Sequence, residues 1–305
     1  MAIPIYIIGS SNTDMVVKTE RLPAPGETIL GGTFLMNAGG KGANQAVAAA
    51  RLGGNVTLVA NVGNDLFGKQ SILQFKQENI NTNFISVDPA YPSGVALINV
   101  NAQGENCIAV APGANGQLTP ELLKTFFENI KSPAIAVIQL EIPITTVEYI
   151  VEKCRQWSIL VILNPAPAHV LSNEVLRNIF LITPNETEAE LLTGIRITDN
   201  VSAQKAARIF HEIGVPNVVL TLGERGAYWS SPNGSGLVSV PVVSAMDTTA
   251  AGDCFNGALA VALAEERLLD DAVKFACKAA SLSVTRMGAQ SSMPTRKEVD
   301  AHNHK

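Results

Sequence analysis

Cysteine and histidine are both scarce, with four of each in 305 residues. Cys107, Cys154, Cys254 and Cys277 lie far apart and form neither a C-x-x-C motif nor a Cys/His metal set. That excludes a structural zinc site and a disulfide framework, and leaves the thiols as reduced, small core hydrophobes. Charge is sparse too: 22 basic against 27 acidic residues make 16% of the chain charged and give a net charge of −5 at pH 7. A chain of that sign is not built to hold nucleic acid. No apolar run reaches the roughly 18 residues of a membrane span, and Met1-Ala2-Ile3-Pro4-Ile5 carries no basic segment ahead of an apolar one. A soluble, cytoplasmic protein is therefore expected. Also missing are repeats, low-complexity tracts and a linker. Neither a G-x-G-x-x-G after the first strand nor a G-x-x-x-x-G-K-[S/T] is present, which sets aside a Rossmann dehydrogenase and a P-loop enzyme.

What the chain has is apolar substance. Hydrophobic residues make up 47% of it, and a chain of this length buries about 75% of its unfolded surface. Short Ile/Val/Leu runs alternate with amphipathic stretches of helix length. Strands are expected at Ile3–Gly9, Val56–Asn61, Ile135–Gln139, Leu160–Leu163, Ile179–Thr183 and Val218–Leu222. Helices are expected at Gly42–Leu52, Phe67–Glu78, Pro120–Asn129, Thr145–Trp157, Glu186–Leu192, Ser202–Ile213, Gly252–Glu265 and Asp270–Arg286. That alternation predicts an α/β fold: a three-layer, Rossmann-like body around a mainly parallel sheet, with ligands beyond the carboxyl ends of its strands. Two segments break the pattern. Met15–Thr19 with Glu27–Phe34, and Gly94–Asn101 with Glu105–Ala111, read as half-apolar hairpins that together would form a small β-sheet lid. The expected organisation is one domain over 1–305, with lid strands inserted at about 12–37 and 93–111.

Five segments are candidates for chemistry. Ala38-Gly39-Gly40-Lys41-Gly42-Ala43-Asn44 is a glycine turn opening an alanine-rich helix. It is either a tight turn or a place where free N–H groups, Lys41 and Asn44 meet an anion or a polyol. In Asp247-Thr248-Thr249-Ala250-Ala251-Gly252-Asp253, Asp253 falls in the first turn of a helix. The acid either complements the helix dipole or accepts a hydroxyl proton beside a phosphoryl group resting on Ala251 and Gly252. Asn185 and Glu188, three apart after a strand, suit Mg²⁺ and its waters, while the glutamates there also suit a helix start. Thr221-Leu222-Gly223-Glu224-Arg225-Gly226 is a turn, or a glycine opening for a nucleotide. Asn12 and Asp14 follow the first strand and suit neighbouring hydroxyls, or cap a turn.

Gly39-Gly40-Lys41-Gly42-Ala43-Asn44-Gln45-Ala46, Asn164-Pro165-Ala166-Pro167-Ala168, Asn185-Glu186-Thr187-Glu188 and Asp247-Thr248-Thr249-Ala250-Ala251-Gly252-Asp253 resemble the signature segments of the PfkB carbohydrate kinase family. They stand in the family's order, from Ile7-Ile8-Gly9-Ser10 to Thr285-Arg286-Met287-Gly288-Ala289-Gln290. The resemblance implies an ATP-dependent sugar kinase making D-ribose 5-phosphate from D-ribose. Alternatives are a family kinase for 2-deoxyribose, fructose or adenosine, or a non-catalytic sugar-binding regulator. On matching positions, Asp253 would be the base that activates the primary hydroxyl, with Ala251 and Gly252 as donors to the phosphoryl group. Asn12, Asp14, Gly40, Lys41, Asn44, Glu141 and Asp253 would hold the sugar. ATP would meet Asn185, Glu188, Thr221, Gly223, Gly226, Gly252 and Cys277, with Mg²⁺ reached indirectly through Glu188. An activating K⁺ would lie near Asp247, Thr249, Ser283, Arg286, Gly288 and Ser292, and two copies would pair through the lid. The chain departs from the family pattern at Ala250, where most members carry glycine, and Gly223-Glu224-Arg225-Gly226 assures no side-chain contact to ATP.

Overall fold

The computed structural model describes residues 3–240 and 243–302. Thirteen strands run in chain order through the described residues: β1 (Ile5–Ile8), β2 (Asn12–Lys18), β3 (Thr33–Gly39), β4 (Val56–Gly63), β5 (Asn81–Asp88), β6 (Gly94–Val100), β7 (Asn106–Ala111), β8 (Ile135–Ile138), β9 (Leu160–Leu163), β10 (Leu181–Ile182), β11 (Asn217–Thr221), β12 (Ala227–Ser231) and β13 (Gly234–Val238). The helices are α1 (Lys41–Arg51), α2 (Leu66–Gln77), α3 (Lys124–Asn129), α4 (Ile144–Gln156), α5 (Asn173–Arg177), α6 (Glu186–Thr193), α7 (Asn200–Ile213), α8 (Ala251–Ala264), α9 (Leu269–Ser283) and α10 (Arg296–Ala301).

Nine strands form the main sheet in the order β13-β12-β11-β10-β9-β8-β1-β4-β5, parallel except where β12 and β13 close one edge as a hairpin. Both faces are buried, so the central strands are apolar at every position. Ile5 and Ile7 pack into one layer with α1, α8 and α9, while Tyr6 and Ile8 pack into the other with α3, α4 and α7. Val56 and Leu58 against Val59, and Ile135 and Val137 against Ala136 and Ile138, repeat that two-residue alternation. Each fully buried Ile or Leu contributes roughly 1.5–3 kcal/mol, which makes this sheet a stiff platform for whatever hangs from its strand ends.

The other four strands form a separate sheet in the order β3-β2-β6-β7. Its second strand lies at Thr33–Gly39, not over Glu27–Phe34 as expected. Phe34, Leu35 and Met36 are all exposed, so the segment has no buried face to set an alternation legible in the sequence. β5, β12, β13 and the short helices α5 and α10 were not anticipated. β5 is a half-exposed edge strand reading Asn-Thr-Asn-Phe-Ile-Ser-Val-Asp, and the β12–β13 hairpin is built largely from Ser and Gly, so neither shows an apolar run.

α8 is buried along most of its circumference, lying between α1 and α9. It crosses α1 so closely that a Cβ on Gly257 would stand 2.7 Å from both the Ala48 side chain and the Gln45 carbonyl. Glycine in the second turn of α8 therefore lets the start of that helix settle against the start of α1. That crossing brings together residues that are about 210 positions apart in the chain.

Candidate active site

The carboxyl ends of the parallel strands deliver most of the chosen residues to one edge of the main sheet, as open α/β sheets do. Ser10 follows β1, Glu141 follows β8, Asn185 follows β10 and Thr221 ends β11. β2 begins at Asn12, immediately after β1, so Asn12 and Asp14 belong at once to the small sheet and to the rim of the body. β3 ends at Gly39 and feeds the glycine turn directly into α1. A Cβ on Gly39 would overlap the Asp14 carboxylate, at 2.2 Å from Oδ2, so the glycine makes room for that acid.

Asp253 sits in the first turn of α8 and is 5% exposed. The Asn44 amide donates to its Oδ2 at 2.9 Å and the Gln45 amide to its Oδ1 at 3.0 Å. Ala250 adopts a left-handed conformation (φ 59°) and the Ala251 N–H turns back to the Thr248 carbonyl at 3.2 Å. The N–H groups of Gly252 and Asp253 find no acceptor among the described residues, so the helix start offers these two donors rather than the expected Ala251–Gly252 pair. A Cβ on Gly252 would meet nothing within 4 Å, which marks the open side. Behind it, Thr183 at the end of β10 donates to Asn256 at 2.7 Å, and the Asn256 amide donates to the Gly252 carbonyl at 2.8 Å, clamping the turn to the sheet.

Electrostatically the cleft is a cation ringed by acids. Burial works against the Lys41 ammonium, but Asp253, Glu141, Glu188 and Asp14 outweigh it and hold its pKa above the usual lysine value. The Lys41 Nζ makes no hydrogen bond or ion pair among the described residues, so its donors are available to a ligand. Burial pushes the Asp253 carboxyl above the usual carboxylate range, opposed by Lys41 and the two amide donors and assisted by Glu141. The expectation that a helix start keeps this acid ionised is thus incomplete. Burial makes it a stronger base, and Lys41, Asn44 and Gln45 offset the cost of its charge.

Asp14 is pushed up to about 6, by burial first and then by Glu141 and Asp253, with Lys41 pulling the other way. An acid whose folded pKa lies above its unfolded 3.8 costs stability once it ionises. Asp14→Asn is therefore expected to raise Tm at pH 7.5, by a difference that is full above about pH 6 and gone near pH 4. A Tm lowered at pH 7.5 would contradict it. Asn12 is buried, and the Asn115 amide donates to its Oδ1 at 2.7 Å while also bonding the Ser11 backbone. That occupies the Asn12 oxygen and leaves its amide N–H groups without an acceptor among the described residues. Asn44 spends its amide on Asp253, which leaves its buried Oδ1 an unpaired acceptor. Glu141 accepts from the Ser10 hydroxyl and from the Lys41 N–H, tying β8 to the start of α1.

At the other end of the cleft, Asn185 and Glu188 form a capping box. Asn185 Oδ1 accepts from the Glu188 N–H and Glu188 Oε2 accepts from the Asn185 N–H, both at 2.8 Å. One oxygen of each is thus structural, which leaves Glu188 Oε1 without a hydrogen bond among the described residues, and the Glu188 charge acts on Lys41. Among the described residues, no three His, Cys, Asp or Glu side chains are grouped to hold a metal ion. A lone carboxylate fits Mg²⁺ held through water and phosphate oxygens, and does not fit a protein cage. Asn185 bridges Thr221 across β10–β11, and Glu186 is occupied by Arg225. Gly223 opens on space and Gly226 passes close to the Val238 carbonyl. Cys277 lies 4% exposed in the core on α9, its thiol pushed up to about 12 by burial.

The Asp247 carboxylate accepts from the N–H of Thr249 at 2.9 Å and of Gly288 at 2.8 Å, which draws 247–249 against 283–292. The Arg286 side chain points away, into an ion pair with Glu298. The carbonyls of Asp247, Thr249, Arg286 and Gly288 accept no hydrogen bond among the described residues, a donor set that fits a weakly hydrated monovalent cation. Asn115, Thr183, Asn256, Gln45 and Gln139 were not singled out from the sequence. Their roles depend on partners 73 to 208 residues away, and no local spacing announces them.

Residues 4–296 match the model of the pfkB family of carbohydrate kinases. A ribokinase of Haemophilus influenzae is 44% identical over 294 residues, covering 96% of each chain. A deoxyribokinase of Salmonella typhi is 38% identical, covering 95% of each. The structure of the Arabidopsis thaliana ribokinase complexed with ribose and ATP superposes with a TM-score of 0.92 at 33% identity, over 98% of both chains.

Proposed function

The chain belongs to the pfkB family of carbohydrate kinases, and from that membership we propose that it is a ribokinase, transferring the γ-phosphoryl group of ATP to O5 of D-ribose. Its similarity to ribokinases along nearly its whole length supports this activity. The observation that carries the residue assignment is Asp253, a buried base beside two unpaired helix-start N–H groups and a free lysine.

Phosphoryl transfer asks for position and charge stabilisation rather than covalent chemistry. Asp14, Asn12, Asn44, Lys41, Gly40 and Glu141 line the side where a pentose would lie, offering acceptors at Asp14 and Asn44 Oδ1 and donors at Asn12 and Lys41. The nucleotide would lie at Thr221, Gly223 and Gly226, where Gly223 opens on space, and the buried Cys277 belongs to the same assignment. Asp253 accepts the proton of the O5 hydroxyl as that oxygen attacks the γ-phosphorus and ADP departs. The Gly252 and Asp253 N–H groups and Lys41 face the negative charge that spreads over the transferred oxygens. Glu188, with Asn185 fixing its orientation, would hold Mg²⁺ through water, and the metal would supply charge neutralisation on the phosphates. Asp247, Thr249, Ser283, Arg286, Gly288 and Ser292 would enclose K⁺, behind the start of α8.

The chain from 1 to 305 reads as one catalytic domain, with lid strands inserted at 12–37 and 93–111. Phe34, Met36 and Leu97 are exposed on one face of this small sheet, an apolar area of the kind that a second copy covers in a homodimer. No helix among the described residues is long and apolar enough to cross a membrane. Four free cysteines and a need for ATP suit the cytoplasm. The deciding experiment is a phosphorylation assay over a panel of pentoses, with and without K⁺. D-ribose should consume ATP fastest and yield ribose 5-phosphate, and K⁺ should raise the rate. A panel in which ribose is not a substrate would end this reading.

A further inference from the structure

Behind Asp253 lies a chain of buried amides that sugar contact does not explain. The Gln45 Nε2 donates to Asp253 Oδ1 at 3.0 Å, and the Gln139 Nε2 donates to Gln45 Oε1 at 2.6 Å. Both glutamines are wholly inaccessible, Gln45 on α1 and Gln139 directly after β8. Buried primary amides cost free energy unless their groups are paired. Here one is left over: Gln139 Oε1 has no partner. A Cβ at Gly9 would stand 1.9 Å from that same oxygen, so the turn after β1 carries glycine where the amide needs the space. An apolar pair in these positions would leave no such debt.

The direction of the chain follows from charge. A carboxylate only accepts, so Gln45 must present its N–H₂ to Asp253 and its oxygen to Gln139. Gln139 must then donate, and its own oxygen is the one left without a donor. We propose that Gln45 and Gln139 are positioning residues for the reaction, fixing the orientation and charge of the Asp253 carboxylate. This rests on Asp253 being the base. Asn44 cannot do the same work alone, because its Oδ1 has no partner among the described residues and nothing there fixes the plane of its amide from behind. The charged groups facing Asp253 are Lys41 on α1, which favours the carboxylate, and Glu141, Asp14 and Glu188, which oppose it. With three acids against one lysine, a neutral donor fixed from behind has a large share in keeping the base charged.

The test compares kcat against pH for the wild type, Gln45→Met, Gln139→Met and Asp253→Asn, with Tm measured for each. Methionine keeps the length of glutamine and removes its donors. Gln45→Met should lower kcat about tenfold and move the acidic limb up by about one pH unit, as the loss of a hydrogen bond to a charged group demands. Sugar KM should stay within about threefold of the wild type. Gln139→Met frees the Gln45 amide to turn over, and should move the limb in the same direction by less, with the Gln45 side chain intact. A lowered Tm with an unmoved limb and unchanged kcat in these variants would reduce both glutamines to packing and overturn the proposal. Near-normal turnover by Asp253→Asn would instead remove the base itself. An inactive Asp253→Asn beside an unmoved Gln45→Met limb would sink only the positioning role.

Discussion

Asp253→Ala is expected to lower kcat by at least about 10²-fold, the low end of what a general base contributes. KM for ATP should change little, since the residues proposed to meet the nucleotide, Thr221, Gly223 and Gly226, lie at β11 and the turn after it rather than on α8. Loss of the fold is not the expected cause. Burial pushes the Asp253 carboxyl upward, so its ionised form costs folding free energy above the unfolded pKa, and that cost disappears with the acid. Against this stands the exposure of two amide donors, Asn44 Nδ2 and Gln45 Nε2, that lose their acceptor. The isosteric Asp253→Asn keeps the volume and separates the two effects: it should be as inactive as the alanine variant with Tm close to the wild type. A folded, fully active Asp253→Asn would show that some other group takes the proton.

The second large effect concerns the sugar. D-ribose should be preferred over 2-deoxyribose by about 10²-fold in kcat/KM, because a site built to bond a hydroxyl leaves buried polar groups unpaired when it is missing. Asn12 and Asp14 are the groups proposed to pair with it. Asn12 has its oxygen tied down by Asn115, so it can meet a ligand only as a donor, while the Asp14 carboxylate makes no hydrogen bond among the described residues and meets a ligand as an acceptor. Such a fixed donor beside a fixed acceptor discriminates by pairing rather than by size. Equal kcat/KM for the two sugars would remove the case for ribose, and a preference for 2-deoxyribose would favour the activity of the deoxyribokinase that is 38% identical.

The glycine turn before α1 and the acid opening α8 were legible in the sequence, because both are short, local and built from residue types with few alternative uses. The central strands were legible for a similar reason, since burial on both faces writes an unbroken apolar run. The edge was not: β5, β12 and β13 are half-exposed and carry Asn, Ser and Gly, so no periodicity marks them. Within the cleft, the sequence pointed to Asp253, Lys41, Asn44, Asp14 and Glu141, and not to the residues that support them. Asn115, Thr183, Asn256, Gln45 and Gln139 are ordinary polar residues until the fold puts each beside its partner. Even at the legible positions the local chemistry shifted. Asn185 and Glu188 spend one oxygen each on a helix cap, and the Ala251 N–H is occupied, so Gly252 and Asp253 carry the free donors.

A structure of the ternary complex with D-ribose and a non-hydrolysable ATP analogue would measure the distance that matters most, from the Asp253 carboxylate to the primary hydroxyl oxygen of the sugar. Proton transfer requires hydrogen-bond reach, about 2.6–3.2 Å, with that oxygen in line with the γ-phosphorus. A separation too long for a hydrogen bond, with the carboxylate still enclosed by Asn44 and Gln45, would contradict its role as the base.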